Sequence, residues 1–196
     1  IKIIVFCLVT IKASAIEKVI LFGDSLMAGY GLPNEQHLSV VLQNSLETEG
    51  YKIEIVNGSV SGSTSSGGLN IAEWTLSESN IDLMILCLGA NDMLRGINPK
   101  ETKNNLEEII KIAKNKNIKV IIAGMIAPTS YGSNYKKSFD KIFYDLSKKY
   151  KLQLIPFLLE GVAQKPEFNL SDGMHPNDQG TIIIGNTLKN AILENL

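Results

Sequence analysis

The sequence predicts a right-handed, doubly wound α/β sandwich built on a parallel sheet. Five short β-rich segments alternate with five helix-like segments along the chain, which is the order typical of this architecture. Three of the strand segments are almost continuously apolar, as strands covered on both faces are. A length of 196 residues with 44% hydrophobic residues suits one globular core.

Each element follows from its local pattern. The predicted strands cover residues 18–22, 52–56, 82–88, 119–123 and 153–155. The predicted helices cover residues 35–49, 68–77, 101–115, 135–150 and 177–194. Within 101–115, the apolar residues Leu106, Ile109, Ile110 and Ala113 recur at helical spacing and predict one stripe facing a sheet. Pro99 precedes this segment as a first-turn proline.

Composition excludes several classes of function. Nineteen Lys and Arg against twenty Asp and Glu leave no basic field for a nucleic acid, so we expect no such partner. Cys7, Cys87, His37 and His175 stand too far apart in sequence to indicate a metal cluster, and we expect neither metal nor cofactor. Chemistry must therefore come from hydroxyls, carboxylates, amides and at most two imidazoles.

Residues 1–15 have the pattern of a secretory signal peptide. Lys2 precedes an apolar run over residues 3–11, and the segment ends Ala13-Ser14-Ala15. The run is shorter than the roughly 20 apolar residues that cross a bilayer. We predict cleavage after Ala15, which leaves residues 16–196 as a single periplasmic or secreted domain without a stable membrane anchor. A buried N-terminal strand or an uncleaved anchor is the alternative.

Polar clusters follow the first three predicted strands, and a fourth lies near the C-terminus. They are residues 23–26 (GDSL), 57–62 (NGSVSG), 89–92 (GAND) and 172–176 (DGMHP). Ligand sites of doubly wound sheets form beyond the carboxyl ends of the strands. The sequence therefore predicts that these clusters converge on one rim.

The clusters contain the parts of a nucleophilic site. A serine hydroxyl needs a base, and His175 is the better of the two imidazoles to activate Ser25. His37 lies among polar residues near a helix start, which indicates a solvated surface position. Asp172 can orient His175 from the same loop. The alternative is that Asp172 only caps the last helix, which Pro176 would open.

Acyl transfer also needs hydrogen-bond donors for a tetrahedral oxyanion. The backbone N–H groups of Gly62 and Ser25 and the side-chain amide of Asn91 are the candidates. Each is weak evidence alone, because glycine and asparagine are common in turns. Together with the serine, imidazole and carboxylate they form a complete set.

These four blocks resemble blocks I, II, III and V of the GDSL or SGNH hydrolase superfamily, from Val19 to the last helix. The resemblance is closest to its bacterial periplasmic esterases that act on thioesters, lysophospholipids and aryl esters. It implies a flavodoxin-like three-layer α/β/α sandwich with a five-stranded parallel sheet. It also implies Ser25 as nucleophile, Asp172 and His175 as its partners, and Gly62 and Asn91 as oxyanion donors, with Asp24 supporting the nucleophile turn.

Two further groups are candidates for substrate binding. The resemblance places a mobile loop at residues 93–98, where Met93, Leu94 and Ile97 could cover an acyl chain. Tyr131 and Tyr135, after the fourth strand, are candidates for the pocket wall. Ordinary core or loop packing is the alternative for all five.

The prediction is a monomeric serine hydrolase that cleaves small-molecule acyl esters, thioesters or lysophospholipids through an acyl-serine. A carbohydrate or small-acetyl esterase is the alternative within the enzyme class. A nucleotide- or flavin-binding module using the Gly/Ser-rich residues 58–68, or an inactive lipid or glycan binder, are the alternatives outside it.

Overall fold

The computed structural model describes residues 16–196, and the predicted leader peptide at 1–15 lies outside them. Five strands form one sheet: β1 (Lys18–Gly23), β2 (Glu54–Asn57), β3 (Leu83–Cys87), β4 (Lys119–Ala123) and β5 (Gln153–Ile155). Their order across the sheet is β2-β1-β3-β4-β5, and every neighbouring pair is parallel. The predicted five-stranded parallel sheet is confirmed.

Helices cover both faces of this sheet. They are α1 (Ser25–Ala28), α2 (Leu38–Thr48), α3 (Ser65–Thr75), α4 (Ala90–Leu94), α5 (Pro99–Asn115), α6 (Ser133–Tyr150) and α7 (Asp178–Leu193). Helix α2 packs on α7, whereas α5 packs between α3 and α6. These two helical layers and the sheet make the predicted three-layer sandwich.

Helix α5 illustrates how the local pattern fixes an element. Pro99 is its first residue, and the side chain of Asn98 caps it by accepting from the Lys100 N–H at 2.9 Å. The four apolar residues of the predicted stripe are buried. Burying this stripe against the sheet supplies the hydrophobic stabilisation that helical propensity alone does not.

Helix α3 begins three residues earlier than predicted. The Thr64 side chain accepts from the Gly67 N–H at 3.2 Å, so the first helical turn lies inside the Gly/Ser-rich segment. Caps of this kind satisfy the free N–H groups of a helix start. A composition typical of a loop therefore conceals a helix start here.

The sheet topology places the site. Strand β1 lies between β2 and β3, and Gly23 is aligned with Cys87 at their carboxyl ends. The chain passes from β1 to one side and later returns on the other, so the loops after β1 and β3 flank a crevice. Such a switch point is where doubly wound sheets bind ligands.

Cys87 ends β3 as a free, buried thiol among the described residues. Burial, followed by the nearby carboxyl of Asp24, raises the pKa of this thiol well above its usual value. It therefore stays protonated and does not compete as a nucleophile. Within residues 16–196, no helix has the length and apolar character needed to traverse a bilayer.

Candidate active site

The turn after β1 presents Ser25 at the crevice. Asp24 is the N-cap of α1, and its Oδ1 accepts from the Leu26 N–H at 3.1 Å. Ser25 is the first residue of that short helix, half-buried, with its hydroxyl on the cleft. An abrupt change from strand to helix therefore lifts the hydroxyl out of the sheet.

The side chains of Ser25 and His175 meet across 150 residues of sequence. The distance from Ser25 Oγ to His175 Nε2 is 2.9 Å, which is a normal hydrogen bond. The imidazole lies on the loop before α7, opposite the β1 turn. It is placed to accept the serine proton when Nδ1 carries the ring hydrogen.

Asp172 holds the other side of this imidazole. Its Oδ2 lies 2.7 Å from His175 Nδ1, and its Oδ1 accepts from the backbone N–H groups of Met174 and His175 at 2.8 and 3.0 Å. Gly173, at φ 69°, lets the chain reverse between aspartate and histidine. The backbone N–H of His175 first, and then that of Met174, lower the pKa of Asp172 to about 2, so the group is a carboxylate at neutral pH.

The last helix starts beyond these residues. Its N-cap is Asn177, whose Oδ1 accepts from the Gly180 N–H at 3.0 Å. Pro176 instead forms an isolated antiparallel bridge with Asn169. The expectations that Pro176 opens α7 and, alternatively, that Asp172 caps it are therefore wrong, since the sequence supplies a better cap one residue after the proline.

Three potential oxyanion donors border the same cleft: Ser25, Gly62 and Asn91. Gly62 has a φ of 77°, and its N–H donates no hydrogen bond to any of the described residues. The Asn91 amide donates to the Ser63 carbonyl at 3.1 Å and more weakly to Asp24 Oδ2 at 3.3 Å. The weaker of these bonds is the one that an oxyanion can replace most easily.

Two buried carboxyl groups support this arrangement. Asp24 is fully buried, and desolvation raises its pKa to about 6 in spite of the Leu26 N–H and the Asn91 amide. Asp92 is also fully buried and accepts from the Ser65 N–H at 2.7 Å and the Thr102 hydroxyl at 3.1 Å. Asp92 thereby ties α4, which carries Asn91, to the starts of α3 and α5.

The cleft beside Ser25 has a volume of about 580 Å³, which is in the range of small-molecule sites. Met93 and Leu94 are part of its lining, as the sequence predicts. Ile97, Tyr131 and Tyr135 are not part of the lining, which corrects the prediction that they cover or wall the pocket. The Tyr135 hydroxyl donates to the Ile97 carbonyl at 2.9 Å and the two tyrosine rings stack 5.6 Å apart, so this group packs behind the loop.

Several residues that line the cleft were not predicted from the sequence. They are Leu26, Tyr30, Met125, Ile126, Phe157 and Met174, among others. Their positions after β1, β4 and β5, or between Asp172 and His175, are the signal that could have identified them. Nothing in hydrophobic periodicity marks them, because loops have none.

His37 differs from its predicted surface position. It is half-buried, its Nε2 lies 3.1 Å from the Leu32 carbonyl, and its ring packs against Gly29. The prediction of a solvated histidine was wrong, because the chain folds back over this ring after α1. His37 is nevertheless absent from the cleft lining.

Serine hydrolases use an arrangement in which a hydroxyl, an imidazole and a carboxylate are hydrogen-bonded in series. Backbone N–H groups and a side-chain amide lie beside that series here. The profile described as the GDSL-like Lipase/Acylhydrolase family matches residues 21–181. The chain belongs to this family and is a GDSL-type hydrolase.

Individual relatives agree with that assignment. An arylesterase of Vibrio mimicus is 37% identical over 89% of this chain and 86% of its own. Thioesterase 1/protease 1/lysophospholipase L1 of Escherichia coli K12 is 33% identical over 87% and 80%. A crystal structure of TesA superimposes with a TM-score of 0.86 at 32% identity, over 92% of this chain and 100% of that one.

Proposed function

We propose that this protein is a cofactor-independent serine esterase and thioesterase that works through an acyl-serine intermediate. The observation that carries the proposal is the 2.9 Å contact between Ser25 Oγ and His175 Nε2, with Asp172 on the far side of the imidazole. Ser25 is the nucleophile, His175 the general base and Asp172 the residue that orients the base. Hydrolases of this type need no metal, since the imidazole supplies the proton transfer.

The reaction has two halves. In the first, His175 Nε2 takes the Ser25 proton as Oγ attacks the acyl carbonyl, and the nearby Asp172 carboxylate balances the imidazolium charge. The new oxyanion accepts hydrogen bonds from the N–H groups of Ser25 and Gly62 and from the Asn91 amide. His175 then protonates the departing alcohol or thiol, and in the second half it activates water to hydrolyse the acyl-serine.

The cleft favours a lipid-like acyl group over acetate. Its walls include Met93, Leu94, Ile126, Phe157 and Leu159, all of which are apolar. An apolar wall stabilises each bound methylene by roughly 0.8 kcal/mol when it is fully buried. The names of the relatives, which cite aryl ester, thioester and lysophospholipid substrates, support the same classes of substrate here.

Two measurements test the proposal. Labelling with a fluorophosphonate followed by peptide mapping should identify Ser25 as the modified residue, and Ser25→Ala should abolish both labelling and turnover. Modification of another serine, or retained turnover in Ser25→Ala, would reject the nucleophile. Rates with p-nitrophenyl acetate, hexanoate and palmitate separate the substrate classes, and activity confined to acetate would favour a small-acetyl esterase.

We also propose that residues 16–196 act as an exported, monomeric domain. The support for export is the leader-like pattern of residues 1–15. The support for a monomer is that the hydrogen-bonded series of Ser25, His175 and Asp172 is complete within one chain. Mass spectrometry of the native N-terminus should find Ile16, and size-exclusion chromatography with light scattering should give a monomer mass. An intact leader or a stable dimer would contradict the respective part.

A further inference from the structure

Arg95 is the single arginine of a chain that otherwise carries only lysine as its strong cation. It follows α4 as its C-cap residue and is exposed beside Leu94, which lines the cleft. Its Nη2 donates to the carbonyl oxygen of Gly62 at 2.9 Å. The only guanidinium in the protein therefore contacts the backbone of a proposed oxyanion donor.

Gly62 has little else to hold it. Its φ of 77° lies in the left-handed region, and a Cβ built on it would meet no atom within 4 Å. Among residues 16–196, nothing packs against the side of Gly62 where a side chain would stand, and a glycine backbone has wide freedom of its own. A donor that must point at a developing charge cannot rely on such a residue alone.

Side chains on α4 and at its C-terminal end restrain Gly62, because they donate to two adjacent backbone carbonyls. Asn91 Nδ2 donates to the Ser63 carbonyl at 3.1 Å, and Arg95 donates to the Gly62 carbonyl. The Ser63 N–H closes a turn onto the Val60 carbonyl at 3.0 Å. These bonds limit rotation about both backbone torsions of Gly62, whose own N–H has no hydrogen-bond acceptor among the described residues.

We propose that Arg95 is a positioning residue for the oxyanion hole, which sets the Gly62 N–H by holding the carbonyl of the same residue. The inference rests on the proposed function. It also explains why a guanidinium stands here: its donors form a fixed planar fork and it is less strongly hydrated than an ammonium, so it can keep one defined bond to a carbonyl at an exposed position.

The central test compares Arg95→Met with Lys100→Met. Methionine keeps an unbranched stem without donors, and Lys100 is an exposed cation five residues further along with no side-chain hydrogen bond among the described residues. Arg95→Met should lower kcat for p-nitrophenyl hexanoate by about 10- to 100-fold, less than the 100- to 1000-fold typical when a donor is deleted. KM should change by less than about twofold, because the acyl group binds elsewhere, and Lys100→Met should match the wild type.

Two further measurements distinguish positioning from general support of the fold. The affinity for a phenylboronic acid, whose tetrahedral adduct on Ser25 places an oxygen in the hole, should fall in parallel with kcat/KM, because both report transition-state stabilisation. Guanidinium ion at a non-denaturing concentration should restore part of the activity of Arg95→Ala but none of Ser25→Ala. Arg95→Lys, which retains a donor, should lie between the wild type and Arg95→Met.

The outcomes separate this inference from the proposed function. If Ser25 is labelled in the wild type and Arg95→Met keeps kcat and boronate affinity within about twofold, the positioning role is wrong and the hydrolase stands. A rise in KM alone would make Arg95 a substrate-binding residue instead. A lower melting temperature with no guanidinium rescue would make it a structural one. Failure of Ser25 labelling would remove both proposals.

Discussion

The ring of Tyr30 lies against the imidazole of His175, with centroids 4.5 Å apart and planes inclined by 38°. Tyr30 follows Ser25 by five residues, just after α1, and its side chain is 52% exposed at the cleft. The turn that carries Ser25 therefore also carries an aromatic surface, which limits tilting of the His175 imidazole. Asp172 controls the imidazole at Nδ1, and Tyr30 controls it at one face.

Replacing Tyr30 by leucine should slow the enzyme without unfolding it. An aromatic contact of this kind contributes about 0.5–1.5 kcal/mol, which corresponds to roughly a 2- to 12-fold loss in kcat/KM. Tyr30→Phe keeps the ring and should remain close to the wild type. Equal losses in both variants, measured with phenyl acetate, would mean that the hydroxyl matters and the ring does not.

Asp172→Asn should inactivate the enzyme while preserving the loop. The asparagine Oδ1 can still accept from the Met174 and His175 N–H groups, so the turn should form. Its Nδ2, however, would donate to Nδ1 and force the ring hydrogen onto Nε2, where it faces Ser25. The analogous change in a serine protease lowers kcat by about 10⁴-fold, and we expect about 10³- to 10⁴-fold here.

Unchanged folding of Asp172→Asn by circular dichroism is the necessary control. Asp172→Ala should lose activity to a similar extent, and additionally loosen the loop, because it removes the acceptor of both N–H groups. A kcat for Asp172→Asn within about tenfold of the wild type would show that the imidazole keeps its tautomer without the carboxylate.

Asp24 should make stability fall as pH rises through a defined window. Its pKa is about 6 in the folded protein against an ordinary value of 3.8, because burial disfavours the charge. The folded state therefore keeps a proton that the unfolded chain releases. The stabilisation is complete below about pH 4 and is lost as pH rises to about 6, by up to roughly 3 kcal/mol.

Urea unfolding of the wild type and Asp24→Asn from pH 4 to pH 8 measures this effect. The asparagine cannot ionise, so the difference between the two free energies of unfolding should change across the window and be constant above it. Asp172 acts in the opposite sense, since its lowered pKa adds stability above about 3.8 that disappears as pH falls towards 2. A difference that is flat between pH 4 and pH 6 would mean that burial does not raise the pKa of Asp24.

Elements with extended hydrophobic patterns were predictable from sequence. The bounds of β4 and β5 agree with the prediction at both ends, and α5 and α6 each begin two residues earlier than predicted. Burial of a repeating apolar face dictates the two long helices, and the spacing of apolar residues in the sequence records that face. The two strands were recognisable instead by their β-rich composition. Helices α1 and α4, of four and five residues, are too short to show any period.

Side-chain direction in loops was not predictable. Ile97 and Tyr131 lie in the expected loops, and Tyr135 lies in the first turns of α6. They nevertheless pack behind the cleft, because the Tyr135 hydroxyl donates to the Ile97 carbonyl. No sequence pattern predicted the contact of Arg95 either, because its acceptor is a backbone oxygen 33 residues away. Contacts of this kind depend on tertiary geometry that no local pattern encodes.

The two histidines should separate cleanly into a catalytic and a structural one. His37 interrupts the predicted helix 35–49, because its backbone is extended between the turn Asn34–Gln36 and α2. Its hydrogen bond to the Leu32 carbonyl and its packing on Gly29 should make His37→Ala cost about 1 kcal/mol of stability. That variant should keep its p-nitrophenyl ester activity, whereas His175→Ala should keep its stability and lose activity by several orders of magnitude. Loss of activity in a folded His37→Ala, or retention of it in His175→Ala, would overturn the choice of base.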